Sequence, residues 1–216
     1  MKILNKRNRA RIYKTIMVML FTILILLLMI GEYRHYRTQY RYSNLEEIEL
    51  SYWNCKHEII EEMKGFVQSK VENTNMSSLT LFNLCDEYNI DVRLPLSQGL
   101  IESHYGTKGL AFKTNSIFNM GAYDGWKYDK ILGIYKYAHP DMSIEPYLKT
   151  LSRSYLTEGK TEADLLKNFV NSSGSRYASY KGYESELRLT WAEINSTTRL
   201  DSLLREYNYY KLELNR

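Results

Sequence analysis

The run Thr15–Gly31, TIMVMLFTILILLLMIG, holds no charged residue over seventeen positions. A helix of that composition is stable only where water is excluded, and at 1.5 Å per residue it is about 25 Å long, the short end of what a bilayer core requires. The length also lies just above that of a signal-peptide core, so the flanks decide between a cleaved leader and an anchor. After Ile30 the chain reads GEYRHYRTQYRY, which lacks the small-x-small pattern of a cleavage site. An uncleaved signal anchor is therefore predicted. Lys2, Lys6, Arg7, Arg9, Arg11 and Lys14 precede the run with no acidic residue among them, whereas Arg34, Arg37 and Arg41 follow it. By the positive-inside rule the N-terminus is cytoplasmic and everything beyond Tyr33 is extracytoplasmic.

The remainder reads as a folded chain. The hydrophobic fraction is 44%, and a net charge of +4, drawn largely from the first fourteen residues, gives no support to a nucleic-acid partner. Cys55 and Cys85 are the two cysteines; their spacing fits no metal motif, and free thiols are expected. There is no zinc pattern, phosphate-binding glycine loop or GxSxG elbow, so neither metal nor cofactor is expected. Twenty tyrosines against six phenylalanines suit a sugar-lined groove, and equally a half-buried core, because tyrosine joins an apolar ring to a hydroxyl.

Spacing divides the chain into a basic segment (1–14), the anchor (15–31), a stalk or linker helix (32–77), a domain (78–196) and a C-terminal helix (197–216). In the stalk, Leu45, Ile48, Tyr52, Ile59, Met63, Phe66 and Val67 fall at helical spacings. NTNMSS, residues 73–78, breaks the pattern, with Ser78 as the expected N-cap of the next helix. Pro95 suits the first turn of a helix carrying Glu102, which Gly106 and Gly109 are expected to end. Asp124-Gly125 and the loosely alternating stretch Trp126–Tyr137 predict a small β-hairpin lobe. Ile144, Tyr147, Leu148, Leu151 and Tyr155 mark a core-facing helix, with Asp141 and Glu145 expected to cap it. Thr161 and Asp164 form a capping box, and two further helices follow. The fold class is mainly α.

Glu102 sits near the end of its helix with Gln98 and Gly99 as helical neighbours, which leaves room beside the carboxyl group. Four blocks surround it in order: Ile101–Gly106 (IESHYG), Asn115–Gly121 (NSIFNMG), Tyr137–Ile144 and Tyr177–Ser179. Residues 79–195, carrying these blocks, resemble the glucosaminidase-type peptidoglycan hydrolases, a family of autolysins, flagellar rod hydrolases and phage cell-wall enzymes. The resemblance implies a lysozyme-like α+β domain and cleavage of the β-1,4 bond between N-acetylglucosamine and N-acetylmuramic acid in peptidoglycan glycan strands. It also makes Glu102 the proton donor and places Tyr177 near the scissile sugar, although Tyr177 would serve equally to anchor its loop.

The resemblance also implies a second carboxylate in the lobe; Asp124, Asp129, Asp141 and Glu145 compete for it, with Asp124 or Asp129 favoured because they fall within the lobe itself. Alternatively the substrate's acetamido group acts as nucleophile and one protein carboxyl suffices. Tyr105 and Phe118 are candidates for substrate contact and for the apolar wall that raises the Glu102 pKa. Asn115 and Asn119 are candidate substrate ligands or, more simply, loop residues bonding their own backbone. Trp126 is a sugar platform or a lobe-packing residue. The competing functional readings are a lytic transglycosylase, which needs one acid, and a lysozyme-like module that binds glycan or supports envelope or phage assembly.

Overall fold

The computed structural model describes residues 6–120 and 135–216. Its named elements are helices α1 (Lys6–Lys70), α2 (Ser78–Tyr88), α3 (Arg93–Ser103), α4 (Ala111–Thr114), α5 (Ile144–Thr150), α6 (Glu162–Leu165), α7 (Tyr183–Thr197) and α8 (Leu200–Leu214). A 3-10 turn, Pro140–Ser143, precedes α5, and a π-helical turn, Leu151–Tyr155, follows it. Among the described residues there is no strand, only an isolated antiparallel bridge between Val170 and Arg176. Of the predicted β-hairpin lobe, residues 124–134 lie outside the described residues, and residues 135–137 are described without strand structure.

The chain forms two compact units. One comprises Met1–Tyr52 with Tyr210–Arg216. Within it the large apolar side chains from Ile16 to Ile30 are exposed, and α1 is long and apolar enough to cross a membrane. Apolar area of that extent has no stable place in water.

The other unit, Trp53–Tyr209, holds the core. The last turns of α1 contribute Cys55, Ile59, Met63, Phe66 and Val67, spaced to share one helical face, all buried. Cys55 donates to the Leu203 carbonyl of α8 at 3.2 Å, and Arg199 bonds Glu58 and Glu62 of α1. Both cysteines are free and buried.

Helix α2 is capped by Ser77, whose side chain accepts from the Thr80 N–H; Ser78, the expected cap, is the first helical residue. Asp141 takes the Ser77 N–H at 2.8 Å, and Glu145 accepts from Tyr88, so these acids tie α2 to the 3-10 turn and to α5 instead of capping the helix, whose start has no side-chain cap hydrogen bond. The capping box of Thr161 and Asp164 is formed, but α6 ends at Leu165, well short of the helix that ADLLKNFV suggests.

Helix α3 is central. Leu94 through Gly99 are all buried, which removes any solvent face from that stretch, and the helix packs on α7. Its start is fixed by Arg93, whose guanidinium bonds Asp91, Asn195 and Asp201 and lies 4.6 Å from the Trp191 ring. Such a planar fork meets several carboxyl oxygens and a ring face together, which a lysine cannot do. Near the other end, a Cβ on Gly99 would lie 3.0 Å from Tyr105 Cδ1 and 3.3 Å from Ile117 Cγ2. Tyr105 and Ile117 are buried and have little room to move. Gly99→Ala is therefore expected to lower stability by about 1–3 kcal/mol through overpacking, measured as a reduced midpoint in denaturant unfolding.

Candidate functional site

Helix α3 stops one residue after Glu102. His104, Tyr105 and Gly106 are consecutively left-handed, at φ 47°, 53° and 83°. Two of these are not glycine, and such backbone is uncommon unless the surroundings hold it. They do so here: the N–H groups of His104 and Tyr105 return to the carbonyls of Leu100 and Gly99, closing the helix three residues before Gly106. Ser103 Oγ donates to the Ile117 carbonyl at 2.5 Å and accepts from the Gly106 N–H at 2.7 Å. Thr74 donates to the Tyr105 carbonyl. The turn is thus set by side chains of several segments, whereas Gly106 and Gly109, expected to end the helix, lie beyond its end.

This arrest leaves the Glu102 side chain partly exposed at the end of a buried helix. Its Oε1 accepts from the Tyr183 hydroxyl at 2.8 Å. Tyr183 in turn accepts from Gln98 Nε2 at 2.8 Å, and Gln98 Oε1 accepts from the Tyr147 hydroxyl. Asn119 Nδ2 donates to the main-chain carbonyl of Glu102 at 2.5 Å. Burial raises the Glu102 pKa above the ordinary glutamate value, and it outweighs the hydrogen bonds from Tyr183 and Asn119, which favour the carboxylate. A carboxyl that keeps its proton above the usual range can give that proton to a leaving oxygen.

The walls are aromatic. Phe118 stacks on Tyr147 with centroids 3.6 Å apart and planes at 10°, while Tyr177 stacks on Tyr183 at 5.7 Å and 24°. Phe169 meets Tyr177 and Tyr183 at 5.1 and 6.0 Å. Beneath them Glu184 accepts the Phe169 N–H and pairs with Arg176, which fixes the loop leading into α7.

The structure brings several of the predicted site residues together around Glu102. Tyr105 and Phe118 are each 1% exposed, so they belong to the core rather than to a surface that a sugar can touch. Asn115 is left-handed and donates to the Tyr137 carbonyl at 3.0 Å, bonding another segment rather than its own backbone. Asn119, also left-handed, binds Glu102 while its buried Oδ1 has no partner among the described residues. Tyr177 is half-buried and donates to the Phe118 carbonyl at 3.1 Å. Asp124, Trp126 and Asp129 lie outside the described residues. Among the described residues no group of three or more His, Cys, Asp or Glu could hold a metal ion.

Three members of the site were not singled out from the sequence: Gln98, Tyr147 and Tyr183. Tyr147 carried a core-face signal, and Gln98 was visible only as the residue one turn before Glu102. Tyr183 stood in a segment read as the approach to a helix.

The Glucosaminidase family, described as mannosyl-glycoprotein endo-beta-N-acetylglucosaminidase, matches residues 80–196, more than half of the chain. Among solved structures, the catalytic domain of the autolysin Auto from Listeria monocytogenes is similar at 20% identity and a TM-score of 0.37, covering 62% of this chain and 85% of that one. No curated protein matches. The family match spans the helix that carries Glu102, the aromatic walls and α7, and by it the chain belongs to the Glucosaminidase family and is a glycoside hydrolase.

Proposed function

We propose that the protein is a membrane-anchored peptidoglycan hydrolase that cleaves the β-1,4 bond between N-acetylglucosamine and N-acetylmuramic acid, with Glu102 as the general acid. The observation that carries this reading is the setting of the Glu102 carboxyl group, held at a helix end by Tyr183 and raised in pKa by burial. In the reaction the protonated Glu102 gives its proton to the glycosidic oxygen as the bond to the sugar breaks. Positive charge then builds on the sugar ring, and either a lobe carboxylate, Asp124 or Asp129, or the substrate's acetamido group meets it. Residues 78–196 are the catalytic module in this reading.

The anchor reading rests on the exposed apolar face of α1 and on the cations that precede it. Helix 15–31 spans the membrane with the N-terminus inside, and the glycosidase acts on wall close to the outer surface. The full chain is expected to remain in the membrane pellet through an alkaline carbonate wash, and a chain beginning at Ser43 to appear in the supernatant. Recovery of the full chain in the supernatant would rule the anchor out.

Glu102→Gln is expected to reduce clearing of peptidoglycan by the detergent-solubilised full chain by at least ~100-fold, the usual scale of general-acid catalysis. Equal clearing by the variant and the wild type would exclude Glu102 as the acid. Mass spectrometry of the released fragments reads the bond cut: reducing N-acetylglucosamine ends support the proposal, and anhydro-muramic ends identify a transglycosylase.

The raised pKa also fixes a sign for stability. Folding raises the pKa of Glu102, so its protonated form favours the folded state; that contribution is complete below the unfolded value and is lost as pH rises through the folded value. Glu102→Gln is therefore expected to melt above the wild type at neutral pH, with the gap closing on acidification, as followed by thermal melts across pH.

A further inference from the structure

The acid role leaves open which oxygen of Glu102 carries the proton, and the groups behind the carboxyl bear on that choice. We infer that Gln98 and Tyr147 are positioning residues that fix the direction of a buried hydrogen-bond chain and so leave the acidic proton on Glu102 Oε2. The chain runs from the Tyr147 hydroxyl to Gln98 Oε1, from Gln98 Nε2 to the Tyr183 oxygen, and from the Tyr183 hydroxyl to Glu102 Oε1. This inference rests on the reading of Glu102 as the acid.

Direction matters because each link has two possible senses. A hydroxyl both donates and accepts, and an amide can turn to exchange its ends. In the opposite sense Gln98 would accept the Tyr183 proton, Tyr183 would offer Glu102 only an acceptor, and the acidic proton would lie on Oε1, pointing into the protein. That proton is then spent on Tyr183 and not available to a leaving oxygen. The far end of the chain excludes this arrangement. Tyr147 and Gln98 are each 0% exposed, so water cannot supply a partner. Turning the amide would remove the acceptor that Tyr147 now uses and strand its proton in the core, where an unsatisfied hydroxyl is costly. Tyr147 therefore locks Gln98, Gln98 directs Tyr183, and Tyr183 occupies Oε1. The Tyr147 ring is itself held by its stack on Phe118.

Among the described residues, the titratable groups facing the carboxyl from the packed elements are Tyr147 on α5 and Tyr183 on α7, with Tyr177 beside Tyr183. Burial keeps the Tyr147 and Tyr183 hydroxyls far above the range in which an acid of this kind operates, so of these described groups it is Glu102 that sets the alkaline limb of the rate profile.

The test is Tyr147→Phe in the full chain, solubilised in detergent and assayed on soluble peptidoglycan oligosaccharides. It keeps the stacked ring and removes only the hydroxyl that locks Gln98. The value of kcat is expected to fall roughly three- to tenfold, the kinetic scale of one hydrogen bond, with KM little changed. The alkaline limb is expected to move to higher pH, because Tyr183 no longer donates steadily to the carboxylate. In a Tyr183→Phe background the same substitution is expected to add nothing. A Tyr147→Phe enzyme with wild-type kcat and limb overturns the inference, as does a loss at all pH values with the limb fixed, or one that multiplies independently of Tyr183. Should Tyr147→Phe fail to fold, Gln98→Met removes the same link and is read by the same limb. Glu102→Gln separates the two ideas. Activity surviving in it removes the acid assignment and the relay's purpose together, whereas activity lost in it while Tyr147→Phe behaves as wild type removes the relay alone.

Discussion

The hydroxyl of Ser103 decides where the site can be. It donates to the Ile117 carbonyl and accepts from the Gly106 N–H, so one buried oxygen joins the end of α3 to the turn that follows and to the loop beyond. Because that turn runs through three left-handed residues, α3 cannot continue past Ser103. Glu102 is consequently the penultimate helical residue, with its backbone in a rigid, buried helix and its carboxyl at the edge. Gly99 belongs to the same arrangement: without a side chain it lets the Tyr105 ring return against the helix it has just left.

Two opposing influences meet at this carboxyl. Packing against α7 and the aromatic walls withdraws water, which favours the protonated acid, while Tyr183 and Asn119 offer hydrogen bonds that favour the anion. Withdrawal of water prevails, and the hydrogen bonds serve to aim the group. The loop 114–119 is held from the opposite side, where Ser143 Oγ accepts the Ile117 N–H and Asn115 bonds the Tyr137 carbonyl. The scaffold is thus a set of loops tied to α3 and to one another by side-chain hydrogen bonds.

Much of the fold was legible in the sequence because helical periodicity reports burial. The face of Ile144, Tyr147, Leu148, Leu151 and Tyr155 is buried as its spacing requires, and so are Ile59, Met63, Phe66 and Val67. Glycine is the common helix terminator and the sequence offers Gly106, yet α3 stops at Ser103, and that stop depends on Ile117, fourteen residues away. Asn115 and Asn119 were recognisable as loop residues, since asparagine tolerates left-handed backbone. The carbonyls they bind belong to segments that only folding brings near.

By itself the sequence determined the apolar run and its flanking charges, the order of the helices, and the position of Glu102 near the end of one of them among blocks with a family resemblance. These are local properties, set by spacing, charge and turn chemistry along the chain. Tertiary structure alone decided what surrounds the carboxyl. Tyr147 and Gln98 are 49 residues apart, Gln98 and Tyr183 are 85, and Tyr183 and Glu102 are 81. Periodicity states which face of a helix is buried, but not which side chain it will meet there. The hydrogen bonds that orient an acid form between faces, and they exist only once α3, α5 and α7 have packed.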